Sequence, residues 1–174
     1  MELINLVRAA IFCAMAIAVG YSLMMVPNIE LITVTIFLSG LTLNAFWGAT
    51  VGFVAMGIYS GLNPLGSGLG FPPLFLAQLI SMSLCGVIGG FLKPFFVTNR
   101  YNISHLVLLG LSGFVVTLIY DVLTLISYPI FSGLGVVGVY AALVKGFGFT
   151  LLHQLSNVFI FIITVPRVVK FLTK

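Results

Sequence analysis

This sequence predicts an all-α integral membrane protein: a single domain over residues 1–174, with six transmembrane helices and both chain ends on the cytoplasmic side. Three observations lead there. First, 61% of the residues are apolar and only 6% are charged, whereas a soluble domain carries about 25% charged residues. A fold of this size has too little interior to hide that much apolar surface from water. Second, six apolar stretches follow one another with turn residues between them, and a helix needs about 20 mostly apolar residues to cross a hydrocarbon core. Third, with an inside start the basic residues Arg8, Lys93, Arg100, Arg167, Lys170 and Lys174 fall on the cytoplasmic side and only Lys145 falls outside, the asymmetry that fixes orientation. An odd number of spans would separate the two basic ends.

The first span covers residues 6–25 and is longer than the apolar core of a secretory signal, so it reads as an uncleaved helix. Residues 29–43 and 45–62 form two short spans joined by a tight turn at Asn44. The fourth covers residues 74–92, the fifth 104–128 and the sixth 141–165. Pro27, Asn63-Pro64, residues 66–73, Pro94, Pro129 and Pro166 punctuate them, because proline lacks a backbone donor and glycine permits turns. Trp47 reads as an interfacial anchor at the cytoplasmic turn. The other aromatic side chains, mostly Phe, read as core or lipid-facing. No internal repeat or second domain is visible.

Several classes of function are excluded. The net charge of +4 comes from scattered side chains, whereas nucleic-acid binding needs a basic patch or stripe. There is no HExxH, P-loop or GxGxxG sequence, and three acids with two histidines at different depths assemble no catalytic set or metal centre. The chain itself therefore reads as neither an enzyme nor an ATP binder. Uphill transport by it would draw on a partner's ATPase, since only Asp121 lies deep among the acids and ion relays use several. Cys13 and Cys85 lack metal-ligand spacing and read as small buried side chains.

Polar residues mark the candidate site. At about 100° per residue, Thr117, Asp121, Thr124 and Tyr128 share one stripe of the fifth span, and Gly146, Thr150, His153 and Asn157 share one on the sixth, with Lys145 beside it. Polar groups avoid lipid, so the stripes should face inward and meet. Asp121 carries the greatest weight, with Lys145 as a reachable ion-pair partner. That pair either fixes helix packing or holds ligand. Gln78 on the fourth span adds to the same region, with Ser81 and Cys85 below it. Asn28 is placed to cap the second span, and Glu30 suits its positive helix end. Both also face the outer cavity. The loops 63–73 (NPLGSGLGFPP) and 129–139 (PIFSGLGVVGV) are uncharged and glycine-rich, as binding loops and lids are. Gly48 with Gly52, and Gly86 with Gly90, should pack helices within the chain. Ala10, Ala14 and Ala18 leave a smooth ridge on the first span, suited either to internal packing or to another protein's helix.

The six-span layout, the alanine-bearing start AAIFCAMAIA, the segment PNIELITVTIFLSG after the first outer loop, a glycine-bearing third span and a flexible loop before the fourth together resemble the substrate-binding S component of energy-coupling factor transporters. The likeness covers nearly the whole chain and rests on layout. It implies a multi-pass protein of a prokaryotic cell membrane that captures a vitamin or related micronutrient on its outer side. It also implies docking on a transmembrane coupling protein with two ATPases, which alone use ATP. On this resemblance Ala10, Ala14 and Ala18 meet the coupling protein. The ligand cavity then draws on the loop around Asn63, on Gln78 and on the two stripes. With Trp47 as the only tryptophan and at the wrong end, a small, weakly charged ring compound fits better than a ligand held by a tryptophan-rich site.

Two other classes stand beside this one. A stand-alone homo-oligomeric channel or carrier for small solutes would account for the glycine-rich helices and the missing motor. A membrane scaffold would use the polar stripes only as packing glue.

Overall fold

Helix α2, Ile32–Thr42, forms the axis of the molecule, and residues 32–41 within it are all buried. A helix apolar on every side belongs in a core. Three of its hydroxyls are satisfied locally, Thr35 Oγ1 donating to the Leu31 carbonyl at 2.7 Å, Ser39 Oγ to that of Ile36 at 2.6 Å and Thr42 Oγ1 to that of Leu38 at 2.7 Å, while Thr33 Oγ1 reaches Met82 Sδ of the neighbouring chain segment. Around α2 stand α1 (Glu2–Leu23), α3 (Ala45–Gly61), α4 (Pro72–Phe91), α6 (Ile103–Phe131) and α7 (Gly135–Leu172). The short α5 (Lys93–Phe96) follows α4, and a single 3-10 turn, Gly68–Gly70, precedes it. The computed structural model describes residues 2–98 and 100–172. Lys174, counted above among the cytoplasmic charges, lies outside them.

The chain is all-helical among the described residues, but the span count differs from the expectation. By length and composition α1, α4, α6 and α7 can cross a membrane, whereas α2 and α3 are shorter apolar helices. At 11 residues α2 is about 16 Å long, roughly half a hydrocarbon core. Apolarity reports burial as readily as it reports lipid, so composition alone could not separate a core helix from a span.

The prolines also behave differently from the expectation. Pro129 lies inside α6 and Pro166 inside α7. Each lies in the C-terminal part of its helix, where it removes one i→i−4 hydrogen bond without ending the helix. The expected loop 129–139 is consequently mostly helix. It shrinks to a tight turn after Ser132, with Gly133 and Gly135 at φ +69° and +60°, backbone that favours glycine. Helix α7 has 38 residues and is about 57 Å long. Its first half packs along α6 and leaves residues 132–137 exposed.

The expected glycine pairs hold α3 and α4 together. A Cβ added at Gly48 would strike the Gly86 carbonyl, one at Gly52 the Met82 carbonyl, and one at Gly90 the Ala45 backbone. At one end of the bundle, Lys93 Nζ donates to the Thr42 and Leu43 carbonyls at 3.0 Å each, closing the C-terminus of α2 where a cation suits the helix dipole. Alternating helix directions place Arg8, Arg100, Arg167 and Lys170 at that end as well, and Lys145 at the other.

Candidate substrate-binding site

Between α1 and α2 the chain turns back at Asn28, whose φ of +59° is one that asparagine tolerates. The segment closes over a cavity of ≈ 220 Å³. Its polar wall consists of Glu30, Tyr59 of α3, Tyr120 of α6 and His153 of α7. Apolar surface comes from α1, from Met56 of α3 and from Met82 of α4.

Glu30 is held on two sides. Its Oε2 accepts from the Thr33 backbone N–H at 2.9 Å, so Glu30, and not Asn28 as expected, caps α2. Its Oε1 accepts from Asn157 Nδ2 at 3.1 Å and lies 3.6 Å from His153 Nε2. The other ring nitrogen, His153 Nδ1, meets Asp121 Oδ1 at 2.8 Å. Gln154 Nε2 donates to Asp121 Oδ2 at 3.1 Å. The result is a carboxylate–imidazole–carboxylate chain joining α6, α7 and the entry to α2. The three side chains are only 12 to 21% exposed. Flanked in this way, the ring donates toward both acids only as imidazolium.

A second polar chain supports the wall. Ser60 Oγ donates to Gln78 Oε1 at 2.5 Å, and Gln78 Nε2 donates to the Tyr120 hydroxyl at 3.3 Å. The Tyr120 ring meets His153 edge-on, with centroids 6.1 Å apart, which fixes the imidazole plane from the side.

The two predicted stripes thus meet, but at one level only. Asn28, Glu30 and His153 line the cavity. Asp121 and Asn157 act through the histidine and the glutamate, and Gln78 acts through Tyr120. The expected Asp121 to Lys145 pair does not form. The Asp121 carboxylate is occupied by His153 and Gln154, while Lys145 lies exposed in the N-terminal half of α7, more than two turns from His153. Thr117 is buried, and its hydroxyl has no hydrogen-bond partner. Thr124 bonds back to the Tyr120 carbonyl, and Thr150 is half-buried one turn from His153. Tyr128 is exposed and packs on the Phe71 ring at 5.5 Å. Asn63 stays in its own turn, accepting from Leu65 N–H at 2.9 Å.

Tyr59, Tyr120 and Gln154 escaped the sequence reading. Aromatic residues were assigned to core or lipid by default, yet a tyrosine deep in an apolar helix carries a hydroxyl that needs a partner, and phenylalanine does not. That distinction was available in the sequence.

No group of three His, Cys, Asp or Glu side chains among the described residues is arranged to hold a metal ion. The two acids approach opposite edges of the imidazole and do not converge on one point. Fold and site together define an all-helical protein with long apolar helices, compatible with a membrane, around a half-open cavity with one polar wall. No family model, curated protein or solved structure matches the chain.

Proposed function

We propose that this chain is the substrate-capture subunit of an importer of the energy-coupling factor type, taking up a vitamin or related micronutrient. The observation that carries the reading is the cavity: a space of ≈ 220 Å³ bounded by the six longer helices and a connecting segment, with ionisable side chains in an otherwise apolar bundle. Ionisable groups at such depth carry an energetic cost and mark a task. In this reading all six longer helices cross or enter the bilayer in alternating directions, and the basic end is cytoplasmic. The cavity then opens toward the outer side through the segment between α1 and α2.

Ala10, Ala14 and Ala18 support the second half of the proposal. All three lie on the exposed face of α1, whereas Ala9, Ala16 and Gly20 turn into the bundle. The ridge is therefore not used for packing within the chain. It offers a smooth track on which a helix of a coupling protein can approach closely.

The test is chemical. Protein purified from its own membranes should release a small molecule at near one-to-one stoichiometry, identified by mass spectrometry. Protein that is monodisperse and folded but free of any such compound, and that gains no stability from a vitamin panel, defeats the reading.

One observation favours a second reading, a stand-alone carrier. A carboxylate, an imidazole and another carboxylate in series form a route along which a proton can move, and proton relays in carriers are built from such chains. Solute flux driven by a pH gradient, in liposomes containing only this chain, would select it.

A further inference from the structure

We propose that the occupant of the cavity is a small flat ring compound bearing one protonated nitrogen, received by the Glu30 carboxylate between Tyr59 and Tyr120. This rests on the capture reading and adds the charge of the ligand to it. The first argument is charge balance. Glu30 and Asp121 are two acids facing a single imidazole. Among the described residues no lysine or arginine pairs with either acid: Lys145 is exposed in the N-terminal half of α7, and Lys93 is engaged at the far end of α2. Even with His153 as imidazolium, the cluster keeps one negative charge in a low-dielectric bundle, where an uncompensated charge is costly.

The second argument is acceptor capacity. An ionised carboxylate offers about four lone-pair sites. Within ordinary hydrogen-bond range those of Glu30 receive the Thr33 N–H and the Asn157 amide, while the Thr33 hydroxyl and His153 Nε2 approach from further off, the latter at 3.6 Å. Acceptor sites therefore remain on a carboxylate that lines the cavity. A donor cation completes them, whereas an anionic ligand would bring a third negative charge.

The third argument is the surrounding surface. Tyr59, Tyr120, Met56 and Met82 all contribute to the wall. Tyrosine faces attract cations, and thioethers pack favourably on rings.

The test uses three probes of one shape: benzamidinium, benzamide and benzoate, each titrated against the purified full-length chain in nanodiscs with thermal unfolding as the readout. Benzamidinium should raise the midpoint and bind roughly tenfold or more tightly than benzamide, with benzoate weaker still. In Glu30→Gln, which keeps an acceptor for the Thr33 N–H but loses the charge, that preference should vanish. The wild-type comparison decides the matter even if this variant fails to fold. Equal shifts with all three probes, a preference for benzoate, or no shift with any of them overturns the cation assignment. The capture reading is judged separately, by whether a one-to-one small molecule leaves with the protein. A released compound with no protonatable nitrogen would sink the cation and spare capture.

Discussion

His153 of α7 stands between Asp121 of α6 and Glu30 at the entry to α2, with Nδ1 2.8 Å from one carboxylate and Nε2 3.6 Å from the other. This single side chain joins three segments that share no local sequence relationship. It also sets the depth at which the bundle is polar.

Replacing that ring leaves two buried acids facing each other without a cation. His153→Phe should cost about 3 kcal/mol or more of stability, the range for breaking a buried pair from one side. Adding Asp121→Asn to it should recover part of the loss, because the stranded charge goes with it. A double-mutant cycle on thermal midpoints in one detergent checks this. Strictly additive losses would show that the two residues do not act together.

Lys145 provides the converse case. Exposed, and more than two turns from the cluster, it should be silent: Lys145→Gln should change stability by less than about 0.5 kcal/mol, as at other surface positions. Retention of the co-purified compound should also be unchanged. Loss of that compound would restore the ion pair with Asp121 that the geometry rejects.

The α3–α4 seam predicts severe effects from very small changes. A methyl group at Gly48 or Gly86 meets the backbone of the partner helix, which cannot rotate away as a side chain can. Gly86→Ala should therefore cost at least the 1–3 kcal/mol or so typical of overpacking, read as a lower midpoint or a loss of monodisperse protein. Gly148→Ala, with nothing within 4 Å of the added carbon, should be neutral or slightly stabilising.

If the chain is the capture subunit proposed above, Ala14→Leu separates capture from delivery. The residue is exposed on α1, so the fold and the bound compound should be kept while uptake in cells supplying the coupling protein and ATPases is abolished. Loss of the bound compound together with normal assembly of the transporter would place the ridge elsewhere in the mechanism.

Much of the site was legible from helical periodicity. Asp121, His153 and Asn157 were placed on faces that had to turn inward, because polar groups avoid lipid, and those faces do meet. Periodicity describes each helix about its own axis, however, and is silent about the level at which two helices touch. Lys145 was therefore a reasonable partner for Asp121 until the α6–α7 hairpin lifted it beyond the rest of the bundle. Tyr59 and Tyr120 were hidden by a default that treats every aromatic residue in an apolar run as filler.

From composition and helical spacing alone follow the all-helical character, the long apolar helices and the glycine seam, because each depends on the average chemistry of a stretch or on spacing along one helix. Which apolar helix is the core axis, and which acids share one imidazole, were decided only by the packing of the whole chain. Those features depend on distances between residues far apart in sequence: Glu30 and Asn157 are separated by 127 positions yet share a hydrogen bond. No local pattern encodes such a distance.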